Sequence, residues 1–228
     1  MKKIFSLLLA LLVFMSFSAC KDDSSDAPSS DIEGYWKLVD DTYGEYYHFA
    51  DDGVVQVIRG SVTFEGEAEI APYEDGGYVY SSEFQYLYGT LIFTLSEDKN
   101  TLSILPTDSD SESNGQAMTR AEFTAPELTP DKNAEIDKDL VGYWYNDTYM
   151  DSYEFTKDGY ATYILDQTEV YGFISKVEYV YSADGKKAEL TYHTGDSYEV
   201  YPGGEYTLNG DTLIIDGNEY TRAEKPAD

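Results

Sequence analysis

The chain repeats itself, and that repeat limits the possible folds more than any other feature. Asp31-Ile32-Glu33-Gly34-Tyr35-Trp36 matches Asp139-Leu140-Val141-Gly142-Tyr143-Trp144. Further on, DDTYGEYYHFADDG (40–53) matches NDTYMDSYEFTKDG (146–159). Phe93-Thr94-Leu95 with Thr101-Leu102-Ser103-Ile104 then matches Tyr206-Thr207-Leu208 with Thr212-Leu213-Ile214-Ile215. Both copies close on the same four residues, Thr119-Arg120-Ala121-Glu122 and Thr221-Arg222-Ala223-Glu224. Matched blocks in one order define a duplicated domain, with copies at residues 32–123 and 139–225. Residues 124–138 between them hold Pro126 and Pro130 among scattered charges and read as a linker with one short helical turn over 131–136.

Within each copy the pattern is that of strands. Tyr47 and Phe49, then Val55 and Val57, alternate across an Ala50-Asp51-Asp52-Gly53 turn, and Tyr153 and Phe155 repeat this before Asp158-Gly159. Aspartate-glycine between alternating apolar residues is a hairpin signal. Asp184-Gly185, Asn209-Gly210 and Asp216-Gly217 mark three more turns. The spacing predicts seven or eight short antiparallel strands per copy, arranged as two tandem small barrels or as two β-sandwiches. Residues 107–116 have no counterpart in the second copy and read as an exposed loop between the last two strands of the first. The 23 tyrosines, 10 phenylalanines and 2 tryptophans supply the packing, since a tyrosine ring covers apolar surface while its hydroxyl reaches water.

Gly34 and Trp36, an aromatic-x-Phe strand ending at Gly53, and their counterparts Gly142, Trp144, Tyr153, Phe155 and Gly159 resemble the short lipocalin-like (calycin-like) domains of Bacteroidetes lipoproteins. The closing pair YTLNGDTLII (206–215) fits that pattern better than its equivalent in the first copy. The resemblance implies that Trp36 and Trp144 each plug one barrel end, with Arg120 and Arg222 lying across the indole rings. An arginine over an indole gains about 0.5–2 kcal/mol, which suits that arrangement. Eight strands of roughly six residues make a barrel that side chains nearly fill, so a ligand pocket does not follow from the likeness.

The N-terminus reads as an address. Lys2 and Lys3 precede an apolar run over 5–14, and Phe17-Ser18-Ala19-Cys20 resembles a bacterial lipobox, with Phe17 where leucine is commoner. Residues 1–19 are then a signal peptide, and Cys20, the single cysteine, takes the lipid. Residues 20–31 are polar and form a tether. Lys21-Asp22-Asp23 resembles the short signal that sends lipoproteins to the outer surface of Bacteroidetes-type cells. The expected location is the outer membrane, lipid-anchored and facing the exterior.

Composition removes several classes. A formal charge of −29 repels phosphate backbones and excludes nucleic acid as a partner. It also repels anionic lipid surfaces, which leaves the acyl chains at Cys20 as the contact with a membrane. With Cys20 acylated, no disulfide forms within the chain.

No zinc spacing, nucleophile elbow, P-loop or dinucleotide fingerprint occurs, and no catalytic residue, metal or cofactor is assigned. His48 and His193 occupy non-equivalent positions and read as strand surface residues. Asp108, Asp110 and Glu112 have a calcium-loop rhythm, but Ser113 and Thr119 stand where glycine and glutamate would be needed. Among 44 acidic residues, carboxylate pairs suited to hydrolysis carry no discriminating weight. The expected role is a binding or interaction module for a small molecule, glycan or protein. A carboxylate-based glycan or peptide hydrolase and a ligand-free scaffold or adhesin remain open. A pocket above about 300 Å³ with aromatic lining would favour binding over scaffold.

Overall fold

The structure is a computed structural model describing residues 31–226, apart from 42–43, 74–76, 88, 107–115, 195–196 and 202–203. Cys20, Lys21, Asp22, Asp23 and the acidic loop at Asp108, Asp110 and Glu112 therefore lie outside the described residues. Among the described residues, no helix is long and apolar enough to cross a membrane.

The fold is all-β and antiparallel. The first copy contributes β1 (Gly34–Leu38), β2 (Tyr46–Phe49), β3 (Val54–Arg59), β4 (Val62–Glu67), β5 (Glu69–Pro72), β6 (Tyr78–Ser82), β7 (Gly89–Leu95), β8 (Thr101–Pro106) and β9 (Gln116–Arg120). The second contributes β10 (Gly142–Asn146), β11 (Asp151–Phe155), β12 (Tyr160–Gln167), β13 (Phe173–Ala183), β14 (Ala188–Thr194), β15 (Ser197–Tyr201), β16 (Tyr206–Asn209), β17 (Thr212–Ile215) and β18 (Asn218–Ala223). A four-residue helix, α1 (Thr168–Tyr171), separates β12 from β13. The hairpin turns fall where Asp52-Gly53, Asp158-Gly159 and Asp184-Gly185 placed them. Asn209-Gly210 and Asp216-Gly217 likewise join β16 to β17 and β17 to β18. The linker holds a turn closed by the Ala134 amide on the Asp131 carbonyl, 2.9 Å.

Among the described residues each copy has nine strands where seven or eight were expected, because one strand in each is interrupted. In the first copy, β4 and β5 are separated only by Ala68; β4 pairs with β3 and β5 pairs with β6. In the second, β13 runs unbroken for 11 residues, its first part on β12 and its last on β14. There the interruption falls between β15 and β16, where a Lys187–Glu205 bridge holds the segment to the start of β14. The first strand of each copy pairs with both the second and the last: Trp36 faces Tyr47 and Arg120, and Trp144 faces Tyr153 and Arg222.

The two copies share one continuous sheet. The edge of β13 that β14 leaves uncovered pairs antiparallel with β4, from Ile174 opposite Glu65 to Val177 opposite Val62. Packing crosses the same boundary. Phe173, from the second copy, is buried in the core cluster of the first, with its ring centroid 6.0 Å from that of Phe64. That first core is built on Trp36, Phe49, Tyr80 and Phe93, and the second on Trp144, Phe155, Leu213 and Tyr220.

His193 departs from its reading as a surface residue. It is buried at the seam, where the Ser61 amide and hydroxyl both donate to the His193 carbonyl and the Ser61 hydroxyl accepts the His193 amide. The turn between β3 and β4 tucks against β14 and covers it, a long-range contact that local pattern does not encode. His48 is half-buried and stacked on Tyr35 at 4.2 Å between ring centroids.

Candidate functional site

Each copy presents a Trp–Arg end, an embedded acid and part of a cleft at the seam. At the Trp–Arg end the two copies are nearly superposable in chemistry. The Trp36 indole N–H donates to the Ile32 carbonyl, and that of Trp144 to Leu140, each at 2.7 Å. The Arg120 guanidinium carbon lies 4.3 Å from the Trp36 ring centroid, and the Arg120 Nη2 and Nη1 donate to the carbonyls of Asp31 and Glu33. Arg222 lies 4.1 Å from Trp144 and donates to Asp139 and Val141. Gly34 and Gly142 stand where the arginine passes. Both have positive φ, and a Cβ at Gly142 would meet Arg222 Nη1 at 2.5 Å. This end seals a core: both indoles are fully buried beneath the arginines.

The embedded acids are Glu45 and Asp151, which occupy equivalent places in the repeat and are 7% and 4% exposed. Glu45 is neutralised by Arg59, whose Nε and Nη2 both reach its Oε1, and its Oε2 accepts the Tyr47 hydroxyl at 3.1 Å. Burial, with Glu45 adding to it, pushes the Tyr47 phenol well above its ordinary value. Among the described residues no cation pairs with Asp151. Its Oδ2 accepts the hydroxyls of Tyr163 at 2.9 Å and Tyr220 at 2.8 Å. Burial, then the bond to Asp151, raises both phenols strongly.

Among the described residues, three concavities stand out. One of about 470 Å³ lies between the linker and β13–β14 and is lined by mixed charge, including Asp131, Glu135, Asp184 and Lys187. Another, of about 340 Å³, lies behind the β4–β13 junction near Tyr35, Phe123 and Lys176. The largest of these three, about 820 Å³, lies in the seam itself. Buried Phe84 and Phe173 are among its lining residues, as are Glu65, Glu67, Glu69, Glu83, Ser82 and Thr90. No lysine, arginine or histidine is among its described lining residues. Beside it, α1 exposes Val170 and Tyr171, the latter 6.3 Å from Phe173 between ring centroids.

The seam cleft exists because the copies meet closely. A Cβ at Gly66 would lie 2.7 Å from the Gly172 carbonyl oxygen and 2.8 Å from the Phe84 ring, so only glycine permits that approach. The Glu65 carboxylate is held by the Gln56 amide at 2.7 Å. The sequence signal was the run Glu65-Gly66-Glu67-Ala68-Glu69, whose two-residue period sets acids on one side of a strand. Glycine at 66 leaves the opposite side open to Phe84 and to the second copy.

Of the residues singled out in the sequence, the structure brings Gly34, Trp36 and Arg120 together, and Gly142, Trp144 and Arg222 together. It joins neither set to the seam cleft. Comparison with known protein families finds no match, and comparison with curated proteins finds none.

Proposed function

We propose that this chain is a lipid-anchored binding module, held to the outer membrane through Cys20 and presented outward by Lys21-Asp22-Asp23. In this reading each copy is a small lipocalin-like barrel with a packed interior, and the ligand seats in the seam cleft between them. The ligand is a small organic cation with an apolar face. The observation that carries this is one concavity of about 820 Å³ whose lining holds two buried aromatics, Phe84 and Phe173, together with Glu65, Glu67, Glu69 and Glu83 and no basic residue among those described. Such a site matches one flat apolar group and one positive charge, and a wall of one sign also raises the local concentration of cations.

Isothermal titration of the full chain with phenethylammonium, methylammonium and 2-phenylethanol tests the reading. Binding of phenethylammonium at least about tenfold tighter than either partial mimic, a difference of about 1.4 kcal/mol, is the expected result. Equal affinity for phenethylammonium and methylammonium would reduce the cleft to a general cation attractor and overturn the proposal. Glu83→Gln should weaken binding, while Glu189→Gln, remote from the cleft, should not.

A further inference from the structure

Asp151 is a buried carboxylate in an incomplete setting. Its residue is 4% exposed; Oδ2 takes two tyrosine hydroxyls, and Oδ1, with no surface of its own, has no partner. An embedded anion is stable only when paired or fully hydrogen-bonded, so an orphaned oxygen on one calls for a donor or a positive charge.

The duplication supplies an internal comparison. Asp151 and Glu45 hold the same place in the matched segments 40–53 and 146–159. The residue across from Asp151 is Leu165. Arg59 holds the matching place beside Glu45, one step past the Tyr46–Ile58 pair, and forms the ion pair. Where the first copy has Val57 and Met118, the second has Tyr163 and Tyr220, whose oxygens keep lone pairs after donating to Asp151. Asn146, paired across the strands with Asp151, is also buried and accepts the Thr148 and Tyr149 amides through its side-chain oxygen. So the first copy brings its own cation, and the second replaces it with a wall of neutral oxygens.

We infer that Asp151, with the hydroxyl oxygens of Tyr163 and Tyr220, binds a small monovalent cation in the place that Arg59 fills in the first copy. A single carboxylate among neutral oxygens balances one positive charge. It does not offer the several carboxylates by which divalent ions are held, and no group of three or more His, Cys, Asp or Glu suited to a metal occurs among the described residues.

Thermal melting of the full chain in sodium, potassium and tetramethylammonium chloride at matched ionic strength tests the site. All three salts screen the net charge, so only a difference between ions reports binding. With the preferred ion at about 100-fold its dissociation constant, the midpoint should stand about 5–10 °C above that in tetramethylammonium. Asp151→Asn should abolish this difference. Leu165→Arg, which installs the first copy's solution, should abolish it while keeping the protein folded, and it decides the matter if Asp151→Asn does not fold. Identical midpoints in the three salts would overturn the inference. An ion-specific rise that survives either substitution would overturn it too, by placing the ion elsewhere.

Discussion

The Arg222 guanidinium carbon stands 4.1 Å from the ring centroid of Trp144, on the strand paired directly with it, and Arg120 repeats the relation to Trp36 at 4.3 Å. One contact thus ties the first strand of each copy to its last. It also ties both to the residues just before the first strand, through the arginine's bonds to Asp139 and Val141 and to Asp31 and Glu33. Trp144→Ala should cost about 3–5 kcal/mol through lost burial and a cavity. Arg222→Met keeps the apolar stem but loses the charge and two hydrogen bonds, for about 1–3 kcal/mol. A double-mutant cycle in chemical denaturation should return a coupling of about 0.5–1 kcal/mol. A coupling of zero would show that stacking contributes nothing.

Gly142 has φ 140° and leaves no room for a Cβ beside Arg222. Gly142→Ala should therefore destabilise by about 1–3 kcal/mol. Arg222→Met should lessen that penalty by removing Nη1. Equal penalties in both backgrounds would mean that backbone strain alone accounts for it.

Glu45 relies on Arg59. Arg59→Met leaves its buried carboxylate with the Tyr47 hydroxyl but no cation, and should cost about 2–4 kcal/mol. Adding Glu45→Gln should recover part of that loss, since a neutral amide needs no counter-charge. A double variant no more stable than Arg59→Met would contradict the ion-pair account.

The embedded tyrosines set an alkaline limit. Burial pushes the phenols of Tyr80 and Tyr181 up to about 12 from an ordinary 10. The folded chain therefore holds protons that the unfolded chain releases, so this contribution to stability is complete below pH 10 and falls as pH rises toward 12. Each such tyrosine should steepen the loss by about 1.4 kcal/mol per pH unit. Tyr80→Phe should flatten the decline of denaturation midpoint between pH 10 and 12. An unchanged slope would remove Tyr80 as a contributor.

Local elements were legible in the sequence because their causes are local. Asp52-Gly53 and Asp158-Gly159 fix hairpins through turn geometry alone, and alternation assigns Phe49 and Phe155 to the interior. The β4–β13 pairing was not legible, since nothing near Val62 or Val177 says which distant edge is free. Burial of His193 and insertion of Phe173 into the first core follow from that pairing and were hidden with it. The equivalence of Glu45 and Asp151 lies in the matched segments of the repeat, but among 44 acidic residues sequence alone gives neither of them a distinguishing mark. Only their burial separates them from the rest.

Amide chemical shifts of the full chain titrated with phenethylammonium test the central claim most directly. Seating in the seam predicts saturable shifts concentrated at Gly66, Gly89, Thr90 and Gly172, with the amides of Asp184 and Glu189 in the mixed-charge groove unmoved. Shifts spread evenly over the acidic surface, or gathered in that groove, would contradict a ligand site built by the meeting of the two copies.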